Sequence, residues 1–129
     1  MTTKEILEKY KRIAVVGLSN NTWRASYGVS RFMQTVGYEI TPVNPHETEV
    51  LGQRAFSTLD DVPGPLEIVN IFRRSEFVPE IVDSAIRRQA KVIWMQEGVI
   101  HEEAAQRARE AGIEVIMDRC ILKEQMQNF

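Results

Sequence analysis

Apolar positions along the chain change period several times, and each change marks an element. Ile6, Leu7 and Tyr10 share one face of a short N-terminal amphipathic helix. Ile13 to Val16 are apolar without a break and end at Gly17. A run apolar on both faces is the mark of a central parallel strand covered by helices on both sides. Residues 18–25 are polar. Val29, Phe32, Met33 and Val36 then fall at helical spacing, and Gly37 follows as a stop. Glu39 to Val43 reads as the next strand, with Pro42 tolerated near its end.

The stretch 46–66 is a longer connection. Gln53 to Phe56 predicts a short edge strand within it, and Ser57 with Asp60 and Asp61 a turn of helix. Pro63, Gly64 and Pro65 interrupt the chain before a strand from Glu67 to Phe72. Phe77, Val78, Ile81, Val82, Ala85 and Ile86 form a helix stripe that needs Pro79 in its first turn. Lys91 to Met95 is a strand, Glu102 to Ala111 an alanine-rich helix closed by Gly112, and Ile113 to Met117 the last strand. A short C-terminal helix is expected from about Leu122 to Gln127.

Strands alternating with helices of this length make βαβ units with right-handed crossovers. The fold class expected is α/β: a Rossmann-like, doubly wound, mostly parallel sheet with helices on both faces. The expected strand order is 3-2-1-4-5 with a possible sixth edge strand, all of residues 1–129 forming a single domain. Ligands bind such sheets beyond the C-terminal strand ends, where the order reverses. The residues after Val16, Val43, Ile71 and Trp94 therefore hold the candidate chemistry.

Composition narrows the partners. The 129 residues carry 18 acids against 16 Lys and Arg, a formal charge of −2 without a clustered basic face, so no nucleic-acid partner is expected. No apolar stretch reaches the roughly 18–20 residues of a spanning helix, and the N-terminus has no apolar signal core, so no membrane association is expected. Cys120 is the single cysteine, which fits a reducing compartment. A cytoplasmic location is expected. His46 and His101 lie far apart without ligands at metal spacing, and no metal site is assigned. There is no Ser-His-Asp arrangement and no Walker lysine, so no catalytic residue is assigned either. Cys120 reads as a small residue packed near the last strand.

After the first strand, Gly17 allows a sharp turn, Ser19, Asn20 and Asn21 are small hydrogen-bonding residues, and Ser26 opens a helix. A phosphate placed there would meet free backbone N–H groups at a helix start and the positive end of the helix dipole, and Arg24 could pair with it bidentately. Of the dinucleotide pattern G-x-G-x-x-G only the first glycine is present; Ser19 and Thr22 stand at the other two places. After the second strand come Val43, Asn44 and Pro45, where a classical NAD site has an acid for the ribose 2′-hydroxyl. Asn-Pro is also an ordinary turn initiator, and Glu47 lies past that turn. Arg73 and Arg74 follow Phe72 and suit a polyphosphate or 3′-phosphate. Gln96 and Glu97 follow the next strand beside Gly98 and could orient a ligand or cap the following helix.

Together these loops resemble the stand-alone CoA-binding proteins of bacteria, which are similar to the N-terminal domain of the succinyl-CoA synthetase α subunit. The resemblance rests on VVGLSN from Val15, RASY from Arg24, PVNP from Pro42, Leu51-Gly52, FRRS from Phe72, WMQEG from Trp94, Ala111-Gly112 and MDRC from Met117. It spans about Ile13 to Cys120. It implies coenzyme A as cofactor, with a phosphate loop on Gly17 to Asn21, Arg24 and Ser26 beside it, a ligand turn on Val43 to Pro45, and later contacts on Phe72, Arg73, Gln96 and Glu97. Two departures stand out. The synthetase lysine after the second-strand turn is replaced by the His46–Glu47 stretch, and the chain stops where the catalytic second domain of the synthetase begins. The function expected is non-catalytic binding of CoA or an acyl-CoA, with an unidentified protein partner open. The alternatives are an NAD(P)- or other nucleotide-dependent enzyme, or a scaffold for a protein partner.

Overall fold

The computed structural model describes residues 1–129. The elements are α1 (Thr3–Lys9), β1 (Arg12–Val16), α2 (Ala25–Thr35), β2 (Glu39–Val43), β3 (Glu49–Val50), β4 (Gln53–Arg54), β5 (Ile68–Ile71), α3 (Val78–Arg87), β6 (Val92–Met95), α4 (Glu102–Glu110), β7 (Glu114–Ile116) and α5 (Ile121–Asn128). Local signals set several boundaries. Thr2 and Glu5 form a reciprocal capping box on α1. Pro79 sits in the first turn of α3, where its missing N–H costs nothing. The imidazole Nδ1 of His101 accepts the Ala104 N–H at the start of α4.

Five strands form one parallel sheet, ordered β2-β1-β5-β6-β7. The α/β class with a Rossmann-like parallel sheet is as expected. The strand order is not. Numbered within the sheet, it is 2-1-3-4-5, and the strand expected outside β2 lies beside β1 on its inner side. Burial explains this: Ile68, Val69, Asn70 and Ile71 are all buried, which suits a central strand covered on both faces. The outer side of β2 instead receives Phe56, which makes a single parallel bridge with Val43. Residues 53–54 do not extend that edge; they pair antiparallel with Glu49–Val50 in a separate small hairpin.

The two faces bury separate cores. One holds Val16, Val69, Ile71, Ile93 and Met95 against Val82 and Ala85 of α3 and Ala105 and Ala108 of α4. The other holds Ile13, Val15, Ile68 and Trp94 against Ile6 and Leu7 of α1, Met33 of α2 and Ile121 of α5. Trp94 is fully buried, and its indole N–H donates to the Arg119 carbonyl at 2.9 Å, so its one polar atom is satisfied. The inward face of α2 mixes two serines with one large apolar side chain: Ser26, Ser30 and Met33 are buried, Val29 and Phe32 half-buried, and Val36 exposed. Of the expected stripe, Met33 joins the core, Val29 and Phe32 pack against its margin and only Val36 faces out, and α5 lies alongside α2.

Candidate functional site

The site begins where the chain leaves β1 and β5 in opposite directions. β1 leads to α2 on one face and β5 to α3 on the other, so the ends of these neighbouring strands open a crevice between them. Backbone bonds fix its floor: Gly17 N–H donates to the Val43 carbonyl at 2.8 Å, and Phe72 N–H to the Val16 carbonyl at 2.9 Å. Gly17 has φ +93°, a conformation that L side chains rarely adopt.

A cavity of about 430 Å³ opens above this floor, lined by Gly17, Ser19, Arg24, Asn44, His46, Glu47, Phe72, Arg73, Arg74 and Phe77. Three guanidinium groups and one carboxylate line it. Arg73 is half-buried and lies over the Phe77 ring, 4.4 Å from its centroid; Arg74 lies 5.6 Å from the same ring. The aromatic face holds Arg73 in place without neutralising it. Arg74 pairs with Glu76 at 3.5 Å, both exposed, whereas Arg24 and Arg73 form no ion pair. Arg24 is also the N-cap of α2, which has no side-chain cap, and the amides of Ala25 and Ser26 donate to nothing within the chain. An uncapped helix start beside unpaired arginines is suited to an anion.

The free N–H groups expected at the helix start are those of Ala25 and Ser26, whereas several amides of the loop before it are already bonded. Ser19 N–H donates to Ser26 Oγ at 3.3 Å, Asn21 N–H to Ser19 Oγ at 3.0 Å, and Asn20 N–H to Glu47 Oε2 at 2.7 Å. Side chains thus occupy the amides of Ser19, Asn20 and Asn21, and the two adjacent free donors are those of Ala25 and Ser26 at the start of α2.

A second cavity of about 280 Å³ adjoins the first through Arg73 and is lined also by Val16, Val43, Pro45, Ser57, Thr58, Leu59, Asp60, Glu80, Ile81 and Ser84. The structure thus brings together Gly17, Ser19, Arg24, Asn44, Phe72, Arg73 and Arg74 in one cavity, and Val43 and Pro45 in the next. Asn20, Asn21, Ser26, Gln96 and Glu97 line neither. Ser26 is buried under the loop. Gln96 is buried and donates to Asn70 Oδ1 at 2.6 Å. Glu97 is exposed and accepts from Lys123 Nζ at 3.0 and 3.1 Å, a hydrogen bond and charge that raise the lysine above its ordinary pKa. Three lining residues, His46, Glu47 and Phe77, had no place in the candidate site read from sequence. The first two lie just past the turn after the second strand, where the sequence showed them only in place of the synthetase lysine. Phe77 was hidden within a helix stripe.

Residues 11–126 match the sequence pattern of a family described as the CoA binding domain. The chain belongs to the CoA-binding domain family. It is 52% identical over 118 residues to the Bacillus subtilis protein YneT, covering 92% of this chain and 87% of that one. It is 26% identical over 120 residues to the α subunit of an ADP-forming acetate–CoA ligase of Pyrococcus furiosus, covering 84% of this chain but only 26% of that subunit. A solved Pyrococcus horikoshii protein superposes with a TM-score of 0.93 at 35% identity, covering 98% of this chain and 92% of that one. As a CoA-binding domain this chain compares with a relative of its own size, and with about a quarter of a much longer ligase subunit. No helix is long and apolar enough to cross a membrane.

Proposed function

We propose that this chain, as a single cytoplasmic domain, binds coenzyme A or an acyl-CoA at the β1–β5 crevice and performs no chemistry on it alone. The observation that supports this most is the pairing of unneutralised Arg24 and Arg73 with the uncapped start of α2 in one cavity. That set fits a pyrophosphate: Arg73 held over the Phe77 ring, the unpaired Arg24, a third cation from Arg74, and backbone donors at a helix start. The ribose then lies along Asn44 to Glu47, the segment that meets the ribose in sheets of this kind. The adjoining cavity around Val43, Pro45, Leu59 and Ile81 offers a less polar wall to the base. The pantetheine arm runs along the sheet edge toward Gln96 and Glu97, one strand beyond β5 and roughly 10 Å from β1 by strand spacing.

Isothermal titration calorimetry with CoA, acetyl-CoA and NAD tests this. CoA or its ester binds more tightly than NAD, which lacks the pantetheine arm. Tight NAD binding with no heat from CoA would favour the dinucleotide reading instead. The absence of catalysis is tested by acyl-CoA synthetase, thioesterase and dehydrogenase assays on homogeneous protein. Turnover abolished by a point substitution in this chain would refute it.

A further inference from the structure

The cavity contains one negative side chain, and that side chain is held in place. Glu47 is half-buried. One carboxylate oxygen accepts the Asn20 backbone N–H at 2.7 Å and the other accepts Asn20 Nδ2 at 2.9 Å. Asn20 Nδ2 also donates to the Glu49 carbonyl at 2.7 Å, so the asparagine is fixed from both sides. Asn44 steadies the same corner, donating to the Leu18 carbonyl at 3.1 Å and accepting the His46 N–H at 2.9 Å. The carboxylate thus takes a loop donor that an anion would otherwise use, and adds its own charge there.

We infer that Glu47 is a specificity-determining residue that excludes the 3′-phosphate of the nucleotide from recognition, so that the cavity reads the pyrophosphate and accepts a ribose with free hydroxyls. This rests on the reading that the ligand is of the CoA type. A carboxylate just past the second strand accepts ribose hydroxyls, whereas a phosphate on that ribose needs a cation at the same place. Here the cations of the cavity are Arg24, Arg73 and Arg74, and none of them pairs with Glu47. With Glu47 counted, the charged lining residues balance a pyrophosphate and leave nothing over for a phosphomonoester. Ligands differing only in that phosphate, CoA and 3′-dephospho-CoA, are therefore bound by shared contacts, and the added phosphate is repelled by the fixed carboxylate.

Calorimetric titration of the full chain with CoA and with 3′-dephospho-CoA, at low and high salt, measures the effect. Wild-type protein binds 3′-dephospho-CoA at least as tightly as CoA. Glu47→Gln keeps an oxygen acceptor for the Asn20 N–H but turns its own amide donor toward Asn20 Nδ2, so the ligand-free melting temperature falls slightly; the affinity ratio, read within the one variant, shifts toward CoA by about five- to tenfold at low salt. The shift shrinks at high salt. Wild-type protein that prefers CoA by tenfold or more, or a ratio unaltered by Glu47→Gln, would overturn the inference while leaving CoA binding intact. Failure of both ligands to bind would instead overturn the CoA reading and this inference with it.

Discussion

A Cβ placed on Gly17 would lie 2.5 Å from the carbonyl oxygen of Phe72, closer than real Cβ atoms come to any backbone atom. The crevice floor is therefore drawn in by the chain itself, before any ligand arrives. Arg73 Cδ stands 3.1 Å from the same point, so the glycine also decides where the guanidinium stem lies.

Gly17→Ala is thus expected to destabilise the ligand-free protein by about 1–3 kcal/mol, from positive φ and from the Phe72 contact together. Urea denaturation measures it. A variant as stable as wild type would mean that the β1–β5 junction opens easily.

Arg24→Ala is expected to separate binding from stability. The side chain is exposed and unpaired, so the ligand-free melting temperature should stay nearly constant. Loss of a charge-assisted phosphate contact should cost roughly 1.5–3 kcal/mol of binding, about ten- to a hundredfold in affinity for CoA. The difference from wild type should shrink as salt rises. Equal CoA binding by variant and wild type at low salt would move the phosphate to Arg73 and the start of α2.

Tyr38 ties the N-terminal helix to the sheet. It is 3% exposed, and its O–H donates to the Leu7 carbonyl at 2.8 Å. Tyr38→Phe should cost about 1 kcal/mol, because Lys11 Nζ still satisfies that carbonyl at 2.9 Å. Burial raises the Tyr38 pKa above the ordinary tyrosine value. The neutral phenol is the form the fold favours, so its contribution is complete below the unfolded-state pKa and is lost as pH rises through the folded-state value. Wild type and Tyr38→Phe should therefore converge in stability in the strongly alkaline range. Thermal denaturation across pH shows whether the two curves meet.

The cap on α4 is a histidine, an unusual choice for that place. His101→Ala removes the acceptor for the Ala104 N–H and should cost about 1 kcal/mol, without altering CoA affinity, since His101 lines neither cavity. Chemical denaturation and a CoA titration of the same variant check both halves.

Periodicity and turn residues alone placed the five sheet strands and the helices, because those signals are local. Ile13 to Val16 could only be a doubly covered strand, and Pro79 could only open a helix. The same reading located the loops after each strand and, through their resemblance, the CoA-binding domain family to which the chain belongs. It could not decide which strand ends meet. Placing the 67–72 strand outside β2 would have set the strand ending at Met95, and with it Gln96 and Glu97, next to Gly17. Instead β5 pairs with β1, so Phe72 and Arg73 meet Gly17, while Gln96 turns inward to Asn70. Strand order depends on which apolar faces can be covered from both sides at once, a property of the whole sheet that no single segment carries. For the same reason Glu47 was legible only as a residue past a proline turn. Its hold on Asn20, 27 positions earlier, exists only once β1 and β2 lie side by side.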